Sequence, residues 1–325
     1  MGFGEIMWGL KFKVYTGAII SVCILSSCSG GDQQGHGARG SLPEQELTNY
    51  DQSVPATDIF TAQCVNAEKN TLRTYAKKSF HSIVNGHKVQ STDVERTRSV
   101  LLLIKDENNK ISVCSSTLIN DVTLVTAAHC IQTAKQVMAV FHTDITCENG
   151  FDRLSHGIMV NLTVPHPDYK GSAQIKSETD YNPDIALVFL EKKAPATYPR
   201  FVIAKSPENL KSSLVLFGYG KTVHGDSLNL GSAALRKTTI PQDDFNFKDG
   251  NIVIDQKNKT GICHGDSGGG AMMLNQDNKL VLTAVNSLVY SATAGVTDLC
   301  NDSSMLVVLG NYKSWIEDTI RQQTK

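Results

Sequence analysis

The chain has 325 residues, with 31 Lys+Arg against 32 Asp+Glu and a formal charge of −1. That balance excludes nucleic acid as the main partner, because phosphate binding needs an excess of Lys and Arg. A hydrophobic share of 41% excludes global disorder, and no heptad run suggests a coiled coil; the eight cysteines require an account.

Residues 1–27 read as an export signal. Lys11 and Lys13 precede an apolar run over 14–25, which is short for a permanent membrane span. Leu25-Ser26-Ser27-Cys28 resembles a bacterial lipobox, which implies that Cys28 becomes the lipidated N-terminus. A plain signal cleaved elsewhere, with Cys28 incidental, is the alternative. Residues 29–40 are Gly-rich and polar, as a tether should be. In an exported bacterial protein the N-x-[ST] triplets at Asn161, Asn258 and Asn301 carry no meaning as glycan acceptors.

Residues 28–82 are mixed and polar, forming tether and pro-segment, and contain Cys64. From Ile83 the texture changes to short, β-branched apolar runs separated by polar or glycine turns. One series covers 100–104, 113–119, 122–126, 137–142, 158–164 and 185–190. A second covers 214–219, 235–240, 251–254, 271–274, 280–290 and 305–309. Repeated short strands with almost no helical period predict an all-β fold of sandwich or barrel type, in two units over 83–194 and 195–325. The join lies in the proline-marked stretch 192–207. Leu309, Tyr312, Ile316 and Ile320 recur at helical spacing and predict a C-terminal helix.

Three short motifs carry chemistry. Gly265-Asp266-Ser267-Gly268-Gly269 places a serine in a tight glycine turn, with its hydroxyl exposed and nearby amides free to converge. Thr126-Ala127-Ala128-His129-Cys130 places a histidine directly after an apolar strand. Asn182-Pro183-Asp184-Ile185-Ala186-Leu187-Val188 places a carboxylate at the mouth of another. Each alone has a bland reading as a turn or core residue; His, Asp and Ser together match the needs of nucleophilic catalysis.

In these motifs and their order, residues 83–325 resemble the trypsin/chymotrypsin-like serine proteases. The resemblance implies two six-stranded antiparallel barrels and a C-terminal helix, with the site in the cleft between the barrels. It implies Ser267 as nucleophile, His129 as general base and acid, Asp184 as orienting carboxylate, and the amides of Gly265 and Ser267 as the oxyanion hole. It also implies disulfides Cys114–Cys130 and Cys263–Cys300; Cys64 and Cys147 are left over and form a candidate third pair. Ile83-Val84-Asn85-Gly86 resembles the mature N-terminus of the family, whose freed α-ammonium pairs with the aspartate before the nucleophile, here Asp266. The family commonly has Arg or Lys before that cut, whereas this chain has Ser82.

Counting back six residues from Ser267 puts Gly261 at the pocket floor, with no carboxylate to hold Lys or Arg, and Ile262 beside it as an apolar wall. Ser287-Leu288-Val289 corresponds to the strand that pairs with substrate, and Val289 in place of glycine narrows the pocket as in elastase-like members. The expectation is cleavage after small or medium apolar residues. No metal or organic cofactor is expected. The expected partners are protein or peptide substrates, an activating protease (this chain itself is a candidate) and a membrane reached through lipid. The localisation expected is the cell envelope, at the outer membrane or cell surface, or else secretion. The rival reading is an unprocessed binding or adhesion lipoprotein on a protease scaffold, favoured by Ser82 and by Ser115-Ser116 where the family usually has two glycines.

Overall fold

The computed structural model of the protein describes residues 83–143, 157–171, 183–220, 234–291, 293 and 295–323. The signal, Cys28, Cys64, Ser82 and Cys147 lie outside the described residues. After β1 (His87–Lys88), six strands close on themselves: β2 (Val100–Asp106), β3 (Ile111–Leu118), β4 (Thr123–Thr126), β5 (Ala134–Val140), β6 (Gly157–Pro165) and β7 (Ala186–Leu190). Their order is β2-β3-β4-β7-β6-β5, a closed antiparallel barrel. A one-turn helix α1 (Ala128–Ile131) sits between β4 and β5.

The second sheet adds β8 (Leu214–Gly218), β9 (Arg236–Ile240), β10 (Phe245–Lys248), β11 (Asn251–Asp255), β12 (Gly270–Leu274), β13 (Leu280–Tyr290) and β14 (Ser303–Val308). Its order is β1-β9-β8-β12-β13-β14-β11-β10. Two barrels were expected; the first is closed, and the second is a half-barrel, a curled eight-stranded sheet that no ladder closes among the described residues. Side chains reach across the opening: Thr260 Oγ1 lies 2.6 Å from Thr238 Oγ1 on β9 and donates to the Val84 carbonyl at 2.6 Å. The two strands that the apolar pattern misses are β1, with two exposed polar residues, and β10, whose FNFK sequence is short and half polar. Pairing to β9 and β11, and not apolar content, makes them strands.

Period-two alternation divides the second sheet between two cores. Leu214, Leu216, Ala271, Met273, Leu306 and Val308 face its own interior. Phe217, Tyr219, Met272 and Val307 fall on the opposite side, in the core that is continuous with the first barrel. Both faces are therefore covered, which is why β12 and β14 read as unbroken apolar runs. The crossing stretch is stitched to both sheets: the Phe201 N–H donates to Leu118 O, Leu282 N–H donates to Val202 O, and Ala204 N–H to Leu282 O. After a short 3-10 turn, helix α2 (Lys313–Gln323) returns to the first barrel, where Tyr312, edge-on, and Trp315, tilted, pack on His166 with centroids 5.2 and 4.7 Å away.

Tyr219 is fully buried at this junction, and its hydroxyl donates to the His142 carbonyl at 2.7 Å, with the Ser99 carbonyl 3.3 Å away. Tyr219→Phe removes the hydroxyl's hydrogen bonds from this junction, so the chemical-denaturation midpoint should fall by the equivalent of about 1 kcal/mol with the ring's packing kept.

Candidate active site

Two neighbouring strands bring the histidine and the carboxylate together. Thr126, the last residue of β4, lies opposite Ala186, the first of β7. The chain leaving β4 and the chain entering β7 are thus at the same end of the barrel. Ala127 and Ala128 have no exposed surface and leave room for α1 to pack directly on the strands, and Cys130 is bonded to Cys114 of β3. His129 Nδ1–H donates to Asp184 Oδ2 at 2.7 Å, and the His129 backbone N–H donates to Oδ1 at 2.8 Å.

A third donor reaches this carboxylate from the other sheet. Ser287 Oγ donates to Asp184 Oδ2 at 2.6 Å. On β13, Asn286 faces Leu306 and Leu288 faces Met305, so Ser287 is the extra residue of a β-bulge in the ladder to β14. Bulges of this kind re-aim one side chain out of the pleat. Burial alone would raise the Asp184 carboxyl, but the His129 charge and hydrogen bonds from His129 and Ser287 outweigh it and hold Asp184 below its ordinary range. For His129, burial disfavours the imidazolium; the charge and hydrogen bond of Asp184 reverse the balance and raise its pKa above 6.5.

The serine loop is folded by its glycines. Gly265 and Gly268 have φ of +96° and +81°, and a Cβ on Gly268 would collide with Thr126 Oγ1 and the Ser115 carbonyl. Gly268 N–H donates to Asn286 O, and Asn286 Nδ2 donates to the carbonyls of Asp266 and Phe217. Ser267 is partly exposed between these anchors, and its carbonyl accepts from Ser115 N–H across the barrel boundary at 2.8 Å. Among the described residues, the N–H groups of Gly265 and Ser267 have no acceptor, so both remain available to an incoming oxyanion. The Ser267 hydroxyl donates to Ser287 O at 3.3 Å, and no hydrogen bond joins it to His129 in this conformer. Such bonds commonly tighten only when substrate is bound. His264, beside the loop, is exposed.

Asp266, next to Ser267, is turned the opposite way and is completely buried. Its Oδ1 accepts from Gly220 N–H at 2.8 Å, its Oδ2 from Cys263 N–H at 2.9 Å, and it also accepts from the Ile83 backbone N–H. Ile83 belongs to the interior of the second sheet, and the segment after it is pinned there: Gly261 N–H donates to Val84 O, and Asn85 Nδ2 to Lys259 O.

The pocket region lies behind a disulfide, Cys263–Cys300. A Cβ on Gly261 would run into Gln256, which has no exposed surface. The Gln256 amide donates to the carbonyls of Ile262 and Cys300 at 2.9 and 2.7 Å, and its Oε1 accepts from Ile262 N–H. Ile262, expected as a wall, packs into the core of the second sheet and backs the pocket instead of lining it. Leu288 and Val289 are half-buried, and Val289 faces Ser304 of β14. Since β12 pairs with β13 only up to Val285, the stretch from Ser287 to Val289 has one edge with no partner among the described strands.

A sequence model of the family described as Trypsin matches residues 83–316. The chain belongs to the trypsin family. Among curated proteins this trypsin-family chain is similar to Serine protease SP24D of Anopheles gambiae, 25% identical over 217 residues, covering 64% of this chain and 72% of the relative. It is also similar to CLIP domain-containing serine protease B8 of the same organism, 24% identical over 308 residues, with 81% and 71% covered. Among solved structures it resembles HL collagenase, with a TM-score of 0.54 at 18% identity, over 73% of this chain and 98% of that one; this likeness shows the fold. The protein is a trypsin-like serine endopeptidase.

Three residues of the site escape sequence reasoning. Ser115 was visible only as a departure from two glycines. Here its buried hydroxyl donates to Gly265 O and accepts from Tyr219 N–H, both at 3.0 Å, docking the serine loop onto the first barrel. Gln256 and Ser304 carry no motif. Cys114, His129 and Cys130 cluster closely, but the two sulfurs are bonded to each other and offer no thiolate to a metal.

The His129–Asp184 contact has a direct readout. By NMR the imidazole should titrate above 6.5 in the native protein; Asp184→Asn removes the opposing charge while burial persists, so the titration should move below 6.5.

Proposed function

We propose that this endopeptidase cleaves peptide bonds through an acyl-enzyme on Ser267, with His129 as base and acid and Asp184 as its orienting partner. The observation that carries the reading is the doubly anchored carboxylate: one oxygen of Asp184 takes both His129 Nδ1–H and Ser287 Oγ–H. With Nδ1 committed, Nε2 is the nitrogen free to take the proton of the Ser267 hydroxyl as its oxygen bonds to the substrate carbonyl carbon. The developing oxyanion is received by the N–H groups of Gly265 and Ser267. The imidazolium then passes its proton to the departing amine, and water, deprotonated by the same nitrogen, releases the acid product and restores Ser267.

The open edge of β13 supports backbone pairing of an extended substrate along Ser287–Val289. Val289 and Ser304 face each other where a deep pocket would need small residues, and Gln256 fills the space beside Gly261. The preference that fits is a small or medium apolar residue before the scissile bond.

The enzyme is made as a precursor cut between Ser82 and Ile83. Ile83 has φ of +55°, a conformation that costs a β-branched residue about 1–3 kcal/mol. Cutting that bond removes the preceding carbonyl carbon and with it the strained torsion. It also turns the amide facing Asp266 into an ammonium. Export and tethering through a lipidated Cys28 complete the reading; among the described residues no helix is long and apolar enough to cross a membrane. The partners are protein substrates, an activating protease and the membrane that holds the lipid.

A fluorophosphonate probe should label the cut protein, and Ser267→Ala should abolish labelling; a cut wild-type chain that stays unlabelled ends the proposal. Because attack needs neutral imidazole, kcat/KM should rise with pH through a midpoint above 6.5, and Asp184→Asn should lower kcat by about 10⁴, the size of this effect in serine proteases. In a peptide library Val289→Gly should shift preference towards larger apolar residues by about tenfold or more. Strong cleavage after Arg or Lys by the unmutated enzyme would refute the proposed pocket.

A further inference from the structure

Two side chains of opposite charge are buried behind the serine loop: Asp266, with no exposed surface, and Arg236, with 5%. Among the described residues, the groups that hydrogen-bond the Asp266 carboxylate are the backbone amides of Gly220, Cys263 and Ile83. Amides solvate a carboxylate but leave its charge uncompensated, and an uncompensated buried charge is costly.

The sheet register brings a cation to the same place. Arg236, the first residue of β9, is directly opposite Gly218 of β8. Residues directly opposite share one face, with Cβ positions about 4.5–5.5 Å apart. A Cβ on Gly218 would collide with the Asp266 carboxylate, so that carboxylate occupies the space above Gly218 that its cross-strand neighbour Arg236 borders. From there Arg236 Nη1 donates to Gly86 O at 2.9 Å, and Gly86 N–H donates to Ile83 O at 2.8 Å. The guanidinium is thus tied to the turn that presents Ile83 to Asp266, close enough for the charges of Arg236 and Asp266 to act on each other. Burial pushes the Asp266 carboxyl up to about 7, opposed by the three amides and by the charge of Arg236. Burial lowers Arg236 from its ordinary range, opposed by the charge of Asp266.

We propose that Arg236 is a positioning residue that supplies, within the uncut chain, the positive charge Asp266 requires, so that the serine loop is set before cleavage and the cut raises activity from a basal level instead of creating it. This rests on the protease reading and the activation site proposed above. Its chemistry is economical: a guanidinium keeps its charge at every working pH and its planar fork can hold the Gly86 carbonyl while facing Asp266. The α-ammonium released by cleavage then adds to a charge already present. Ser82, unsuited to a trypsin-like activator, is tolerable in a precursor that is not silent.

The test compares uncut and cut full-length protein. The uncut form is Ser82→Pro, its bond verified by intact mass; the cut form is verified by N-terminal sequencing at Ile83. Both are made with Arg236, Arg236→Lys and Arg236→Met, and the rate of fluorophosphonate labelling is read together with kcat and KM on a peptide substrate. The uncut chain should label well above a Ser267→Ala control, and Arg236→Met should slow the uncut form by about tenfold or more while slowing the cut form by less than about threefold. Arg236→Lys, which restores charge without the fork, should recover a large part of the uncut rate and keeps the comparison open if the Met variant does not fold. If the uncut chain labels no faster than the control while the cut chain labels, Arg236 does not serve this role and the protease reading stands. Equal losses in both forms would make Arg236 merely structural and overturn the proposal. No labelling of either form would remove both readings.

Discussion

The carboxylate of Asp266 is the constraint around which the active-site half of the molecule is organised. A charge with no exposed surface has to be met by donors, and those donors come from separate parts of the chain: Ile83 at the start of the described fold, Gly220 just after β8, and Cys263 at its disulfide with Cys300. Satisfying one side chain therefore fixes three segments at once. It also fixes the orientation of the serine next to it, because turning Asp266 inward turns Ser267 and its amide outward. Gly218, opposite Arg236 on the neighbouring strand, has no side chain because the carboxylate takes that space.

The seam between the two sheets is the second determinant, and it is polar where the catalytic groups meet. Ser115 joins β3 to Gly265, Tyr219 and Ser267; Ser287 joins β13 to Asp184. Each of these hydroxyls is buried and bonded, so it adds direction that an apolar contact lacks. Around them Phe217, Met272 and Val307 continue the first core into the second sheet and exclude water from the join. The two serines that stand in place of the family's glycines are thus part of the machinery: the Ser116 hydroxyl donates to Val100 O within the first barrel, while that of Ser115 reaches across the seam.

Selectivity in such a cleft is a matter of volume and of buried polar groups. Gln256 makes three hydrogen bonds with Ile262 and Cys300 beside Gly261 and shows no surface, so the space next to Gly261 is filled by an uncharged amide. Ser304, equally buried, has no partner for its hydroxyl among the described residues, and Val289 stands opposite it. Under the preference proposed above, a long or cationic substrate side chain would have to displace these groups.

The sequence by itself determined much of this protein. Strands β2–β9 and β11–β14 were legible because burial on one or both faces imposes apolar runs of strand length, and the helix at the end because its apolar residues keep a 3.6-residue period. His129, Asp184 and Ser267 were legible because each sits in a short motif whose glycines and alanines are dictated by local turns and close packing. Gly261 was reached by counting back from Ser267, and Val289 by the family resemblance of its strand. What only the tertiary structure decided is what depends on partners far apart in the chain. β1 and β10, weak as sequences, become the edges of the second sheet by pairing to β9 and β11. Ile262 joins the core of the second sheet while the Gln256 amide holds its backbone. Ser287 reaches Asp184 because a bulge turns it out of the ladder, and Arg236 comes near Asp266 because β9 pairs with β8 in one register. A hydrogen bond or charge pair of this sort leaves no period and no local pattern, since its energy belongs to two residues that become neighbours only when the sheets have formed.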